Sequence, residues 1–209
     1  MTPRWKVCGV VDAEIARSAV EAGADAVGFV FYPPSPRAVT AEQAAGIAAQ
    51  LPRETWRIGV FVDAHRDEIE RAIDGVGLDF VQLSGDESPV AAAGLSRHAF
   101  KALRLGGDTS IEEAKSLAAP FCRCTLLVDT AVPGEYGGTG KKANWAAAAA
   151  LARDHRLMLA GGLTVDNVSE AVATVQPWAI DTSSGLETEP GKKSPQLIRE
   201  FGAVLEALS

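Results

Sequence analysis

Two kinds of segment alternate along the whole chain. Short apolar runs of β type lie at RWKVCG (4–9), DAVGFVF (25–31), RIGVFVD (57–63), DFVQL (79–83), AFKALRL (99–105), CTLLVDT (124–130), LMLAGG (157–162) and WAIDTSS (178–184). Each is followed by a longer, often alanine-rich segment with helical period, over 12–23, 41–51, 64–75, 87–96, 109–119, 144–153, 164–175 and 194–208. Runs of this kind read as strands and the periodic segments as helices. Start signals sharpen several helices. Thr40 stands three residues before Gln43, the spacing of a capping box. Ser110 precedes Glu112 and Glu113, acids that suit a first turn. Ser194 before Pro195 is an N-cap followed by proline at the first helical position. Thr164 is the expected N-cap of the seventh helix.

Eight strand–helix units in 209 residues average about 26 residues each, close to the ~30 of a βαβ unit. No Pro/Ser-rich linker divides the chain, so residues 1–209 are expected to form a single domain. Unbroken βα repetition implies a parallel sheet with right-handed crossovers. Eight units are the number that closes an α/β (β/α)8 TIM barrel. An open doubly wound sheet is the alternative, and the regular count of eight disfavours it. In such a barrel the chemistry lies at the C-terminal ends of the strands.

Composition narrows the function. The chain is 47% hydrophobic and 22% charged, with mean hydropathy +0.06 and a net charge of −7. That balance argues against a nucleic-acid or anionic-membrane partner. No apolar run reaches the roughly 18 residues that span a bilayer. The N-terminus lacks the long apolar region of a signal peptide, so the expected address is cytoplasmic. Three cysteines, an odd number, argue against a disulfide framework. Cys122 and Cys124, without a second cluster, are a weak metal signal and read better as small core residues.

Polar and reactive residues recur at the strand ends: Lys6 and Cys8, Phe31 with Arg37 beyond it, Asp63, Gln82 and Ser84, Arg104, Asp129, Gly161 and Gly162, then Asp181, Ser183, Ser184 and Gly185. Gly161-Gly162 and Ser183-Ser184-Gly185 fall on the loops after the seventh and eighth strands, where many barrels bind phosphate. Glycines there let backbone N–H groups approach an anion; the plainer reading is tight turns. The long segment 129–145 is either a surface loop or a cover over a ligand rooted at Asp129. Cys8 is either a small core side chain or a reactive thiol. Period-two alternation puts it on one face of its strand with Lys6, whose charge would favour the thiolate. An acid at one strand end beside a cysteine from another makes an acid/base pair plausible. Trp5, Trp56 and Trp178 are expected to pack between strands and helices. His65, His98 and His155, and the pairs Lys141-Lys142 and Lys192-Lys193, read as solvated, though either lysine pair could reach a phosphate.

Eight segments carry a resemblance: KVCG (6–9), GADAVGFVFYPPSPR (23–37), GVFVD (59–63), VQLSGDE (81–87), LLVDT (126–130), GEYGGTGKKANW (134–145), LAGGLTVDNV (159–168) and IDTSSGLETEPGKK (180–193). In this order they resemble the phosphoribosylanthranilate isomerases of tryptophan biosynthesis, over the whole chain. The resemblance implies an Amadori rearrangement of N-(5-phosphoribosyl)anthranilate to 1-(2-carboxyphenylamino)-1-deoxyribulose 5-phosphate. It implies Cys8 as general base and Asp129 as general acid, with Arg37 on the anthranilate carboxylate. Phosphate would fall to Gly161, Gly162, Ser183, Ser184 and Gly185. Lys6, Gln82 and Asp181 are expected at the substrate from their places at the strand ends. Lys6 would favour the Cys8 thiolate and burial would keep Asp129 protonated. The partner is a small phosphosugar-anthranilate, no cofactor or metal is required, and the protein would be a monomer or homodimer. Two positions depart from the family's usual pattern: Ser84 stands where histidine is usual, and Val11 where Thr or Lys is usual. The alternatives are another phosphosugar isomerase barrel, of the histidine-biosynthesis kind or dual-function, and a non-catalytic barrel that binds a phosphate ligand. The histidine-pathway relative typically uses two aspartates, against which Cys8 argues.

Overall fold

A computed structural model describes residues 2–130 and 144–208. Eight parallel strands pair in chain order and close into one barrel: β1 (Arg4–Cys8), β2 (Ala26–Val30), β3 (Trp56–Phe61), β4 (Phe80–Leu83), β5 (Ala99–Leu105), β6 (Thr125–Thr130), β7 (Leu157–Leu159) and β8 (Ala179–Thr182). The last strand meets the first, with Lys6 opposite Asp181. Eight helices follow the strands: α1 (Ala13–Glu21), α2 (Ala41–Ala48), α3 (Arg66–Val76), α4 (Pro89–Ala93), α5 (Ile111–Ala118), α6 (Trp145–Ala152), α7 (Val168–Val175) and α8 (Pro195–Glu206).

The local signals explain most helix starts. Thr40 accepts from Gln43 N at 3.1 Å while Gln43 Oε1 accepts from Thr40 N at 2.9 Å, closing the capping box. Ser110 and Ser194 cap α5 and α8. Thr164 does not cap α7. That helix starts after Asn167, whose side chain turns back: Nδ2 donates to Gly162 O and Oδ1 accepts from Thr164 N, both at 2.9 Å. Asn167 thus braces the glycine loop.

Five strands end earlier than their apolar runs, β7 by the most, three residues. Gly161 and Gly162 sit at φ 85° and 65°, a left-handed conformation that cannot continue a ladder. After β8, Ser184–Leu186 forms one 3₁₀ turn, and the chain makes a small antiparallel hairpin of β9 (Glu187–Glu189) and β10 (Lys192–Lys193). The hairpin was not legible as strands in the sequence.

Two cores result. Outward residues such as Val27, Phe29, Leu126 and Ile180 pack under the helices; there Trp5 stacks on Phe201, centroids 5.2 Å apart. Inward residues Ala26, Ile58, Phe100, Leu127 and Met158 fill the barrel. Trp56 and Trp178 join this second cluster, stacked at 6.1 Å, rather than packing under helices. His98 is not simply solvated, since its ring lies 2.9 Å from Thr125 Oγ1. Cys122 is exposed and Cys124 half-buried, so neither is a core residue of the kind expected. Among the described residues no helix is long and apolar enough to cross a membrane.

Candidate active site

The C-terminal strand ends surround a cavity of about 420 Å³. Cys8, Arg37, Gln82, Asp129, Gly161, Gly162, Asp181, Ser183, Ser184 and Gly185 all line it, together with Ser84. Period-two alternation does this: Gln82 and Ser84 share the inward face of β4, as Leu127 and Asp129 share that of β6. Asp129 is half-buried and lies opposite Arg104 in the β5–β6 ladder. The segment 131–143, with Lys141-Lys142 and the expected cover, lies outside the described residues.

Lys6 does not line the cavity. Its side chain is 1% exposed beneath the cavity floor, with Nζ 2.7 Å from Asp181 Oδ1 and 2.9 Å from Gln82 Oε1. Gln82 Nε2 then donates to Ser84 Oγ at 3.0 Å. A polar chain therefore runs Asp181–Lys6–Gln82–Ser84 through the upper barrel. Gly28 leaves room for it: a Cβ there would lie 2.8 Å from Lys6 Cε and 3.0 Å from Cys8 Sγ.

The electrostatics of Cys8 differ from the simple expectation. Burial pushes its thiol above the ordinary 9.0, and Asp181 adds to the rise, against the pull of Lys6 and Lys193. Lys6 acts on the sulfur by charge and by hydrogen bond, but it is shared with Asp181, and burial prevails. Lys6 itself is held above its ordinary value: burial acts downward, and Asp181 and Cys8 outweigh it.

Beside Cys8 lies a second charged group that the sequence reading missed. Glu187 Oε1 and Oε2 accept from Arg37 Nε and Nη2, each at 2.7 Å, and Oε1 also accepts from Lys193 Nζ at 2.7 Å. Lys193, expected to be solvated, is fully buried, while Lys192 is exposed. The only signal was the Pro190-Gly191 turn between an acid and a lysine. Lys6 pairs with Asp181, and Arg37 and Lys193 share Glu187, so the cations beside Cys8 are held by two carboxylates.

Other strand-end polar residues serve the loops. Asp63, at φ 49°, accepts from Asp86 N at 2.6 Å, and Arg104 pairs with Asp86. Lys101 and Glu87 form a buried pair at 2.6 Å, and Glu87 also accepts from Asp63 N and Gly85 N at 3.0 Å. Val11 packs against the outer core and is not among the lining residues.

A closed parallel barrel with a thiol, a carboxyl, an arginine and two glycine-rich loops at one mouth has the build of a (β/α)8-barrel enzyme. The family profile described as "N-(5'phosphoribosyl)anthranilate (PRA) isomerase" matches residues 5–203. The N-(5'-phosphoribosyl)anthranilate isomerase of Pelobacter propionicus is 46% identical over 196 residues, 94% of this chain and 92% of its own. The isomerase structure from Thermotoga maritima superposes with a TM-score of 0.89 at 36% identity, covering 98% of this chain and 99% of its own. A phosphoribosylanthranilate isomerase structure in complex with reduced 1-(o-carboxyphenylamino)-1-deoxyribulose 5-phosphate superposes at 0.85 with 35% identity, over 98% of this chain and 99% of that one. The chain belongs to the phosphoribosylanthranilate isomerase family, enzymes of tryptophan biosynthesis.

Proposed function

We propose that this isomerase catalyses the Amadori rearrangement with Cys8 as general base and Asp129 as general acid. The observation that carries the reading is that both side chains line one cavity with Arg37 and the two glycine-rich loops. Asp129, as a carboxylic acid, donates a proton to the furanose ring oxygen. The C1′–O bond breaks and the nitrogen lone pair forms a protonated Schiff base. Cys8, in the thiolate form that Lys6 and Lys193 favour and that is the minor form of the free enzyme, then takes the C2′ proton. The C–H electrons form C1′=C2′, and those of C=N return to nitrogen. Proton transfer from the C2′ hydroxyl to C1′ leaves the ketone. The Schiff base is its own electron sink, so the chemistry requires no cofactor.

The substrate phosphate sits against the backbone of Gly161, Gly162, Ser183, Ser184 and Gly185. Helix α7 begins six residues past Gly162, so loop amides rather than a helix terminus supply the donors. Gly185 has a packing reason too, because a Cβ there would collide with the Leu163 carbonyl oxygen. Arg37 takes the anthranilate carboxylate, and Gln82 and Asp181 face the sugar. Ser84 keeps Gln82 oriented where the family usually has histidine. Lys6 acts from below, by holding Asp181 and Gln82. All these groups come from one chain, which suits a monomer or a homodimer of complete barrels, and three free cysteines suit a reducing cytoplasm.

Cys8→Ser and Asp129→Asn test the assignment. General acid–base groups contribute about 10²–10⁴-fold. Each variant should lose turnover in that range, measured by loss of substrate fluorescence, while the reduced product analogue still binds and the melting temperature holds. Turnover near wild type in either variant removes that residue from its role. Binding of the analogue by the wild type without any turnover would favour the non-catalytic reading.

A further inference from the structure

The hairpin β9–β10 reaches the cavity through a single carboxylate. Glu187 is held by four donors: Arg37 Nε and Nη2, Lys193 Nζ, and Gly191 N at 3.2 Å. Its side chain is 4% exposed, and those of its partners Arg37 and Lys193 are 12% and 0%. Burying a carboxylate costs several kcal/mol in desolvation, yet no step of the isomerisation uses Glu187. Geometry supplies a reason. A bidentate fork fixes the plane of a guanidinium, which a single contact does not. The fork occupies Nε and Nη2; no contact of Nη1 is seen among the described residues. The stem of Arg37 is confined as well. It passes Gly9, at φ 75°, where a Cβ would lie 2.6 Å from Arg37 Cδ. Arg37 is thus gripped between Gly9 and Glu187, with its outer edge in the cavity wall.

We propose that Glu187 is a positioning residue that sets aryl specificity: by locking the Arg37 guanidinium, it makes the pocket select substrates whose aromatic ring carries a carboxylate. This rests on the reading of Arg37 as the carboxylate ligand. The hairpin, through Gly191 and Lys193, holds Glu187 in turn.

The test measures affinity of wild type, Arg37→Lys, Glu187→Gln and the double variant for two probes by calorimetry. One probe is reduced 1-(o-carboxyphenylamino)-1-deoxyribulose 5-phosphate; the other is the same molecule without the ring carboxylate. Removing one good charge-assisted contact costs about tenfold or more. Arg37→Lys should weaken the carboxylated probe by about that factor and leave the other within about twofold. Glu187→Gln should do the same, and the double variant should be no worse than the weaker single. In kinetics, Glu187→Gln should raise KM about tenfold with kcat within about threefold. Glu187→Asp keeps the charge that Lys193 needs but withdraws the fork. It should show the same selective loss at near wild-type melting temperature, and it decides the matter if the glutamine variant does not fold. If Arg37→Lys discriminates between the probes but the Glu187 variants weaken both equally, the inference fails and the Arg37 reading stands. If Arg37→Lys itself shows no discrimination, that reading fails and takes this one with it.

Discussion

The two ends of the barrel interior are built from the same strands and do opposite things. On β4, Phe80 points into the aromatic cluster at the N-terminal end, while Gln82 and Ser84, one and two pleats on, belong to the polar end. On β6 the step is from Leu127 to Asp129, and on β8 from Ala179 to Asp181. Below, Phe80 meets Phe100 edge-on at 5.5 Å and Trp56 at 5.1 Å. Burial of such rings is favourable by itself. Above, every buried charge carries a desolvation cost and is tolerated only because a partner offsets it. The difference teaches that this barrel concentrates its electrostatic cost at the end where chemistry needs it and gathers apolar stabilisation at the other.

The largest effects should separate the two ends. Lys6→Met leaves Asp181 buried without its cation, a change expected to cost about 3–5 kcal/mol of stability and at least about a hundredfold in turnover. Phe100→Ala at the lower end should cost a similar 3–5 kcal/mol or so by cavity formation, with kcat/KM of the folded protein nearly unchanged. Denaturant unfolding and steady-state kinetics on the two variants check this. Equal losses of activity would erase the distinction.

The next effect is a pH limb. Burial would raise the Glu187 carboxyl, but hydrogen bonds from Arg37 and Lys193 prevail and pull it from 4.5 down to about 2. A depressed carboxyl contributes stability that is complete above its unfolded value and lost as pH falls through the folded one. Unfolding free energy should therefore drop between about pH 4.5 and 2, by an amount on the order of 3 kcal/mol, and Glu187→Gln should flatten that limb. An unchanged limb would mean that other carboxylates govern acid unfolding.

Cys8 offers a smaller and sharper probe. In a Cys122→Ser, Cys124→Ser background, iodoacetamide should react with the single remaining thiol slowly at neutral pH. The rate should rise about tenfold per pH unit to a midpoint above 9.0, because burial and Asp181 hold the thiol protonated. A midpoint on the acid side of 8 would show that Lys6 and Lys193 dominate instead. The mildest change is Ser84→Ala, which removes the acceptor of Gln82 Nε2. One hydrogen bond is worth about 1 kcal/mol, so a loss of roughly fivefold in kcat/KM is expected, with the fold intact.

The sequence made the site legible wherever a residue's own strand carried it inward. Cys8, Gln82, Asp129 and Asp181 could be placed on the cavity by counting in twos from a strand end. The glycine loops could be placed because their chemistry and their position in the barrel agree. Glu187 and Lys193 could not. They lie on a hairpin outside the eight repeats, and their meaning depends on Arg37, 150 residues earlier in the chain. The state of Cys8 needed the tertiary structure for a related reason. Lys6 does favour the thiolate, as adjacency on β1 suggested, but burial and Asp181, which comes from the last strand, push the thiol the other way.

Local information thus determined the eight βα units, most helix caps and which side chains face the barrel axis, because pleat period and capping act over a few residues. Barrel closure decided that Lys6 pairs with Asp181 and Arg37 with Glu187. Coulomb pairing depends on distance in space, and only the meeting of β8 with β1 brings those groups within reach.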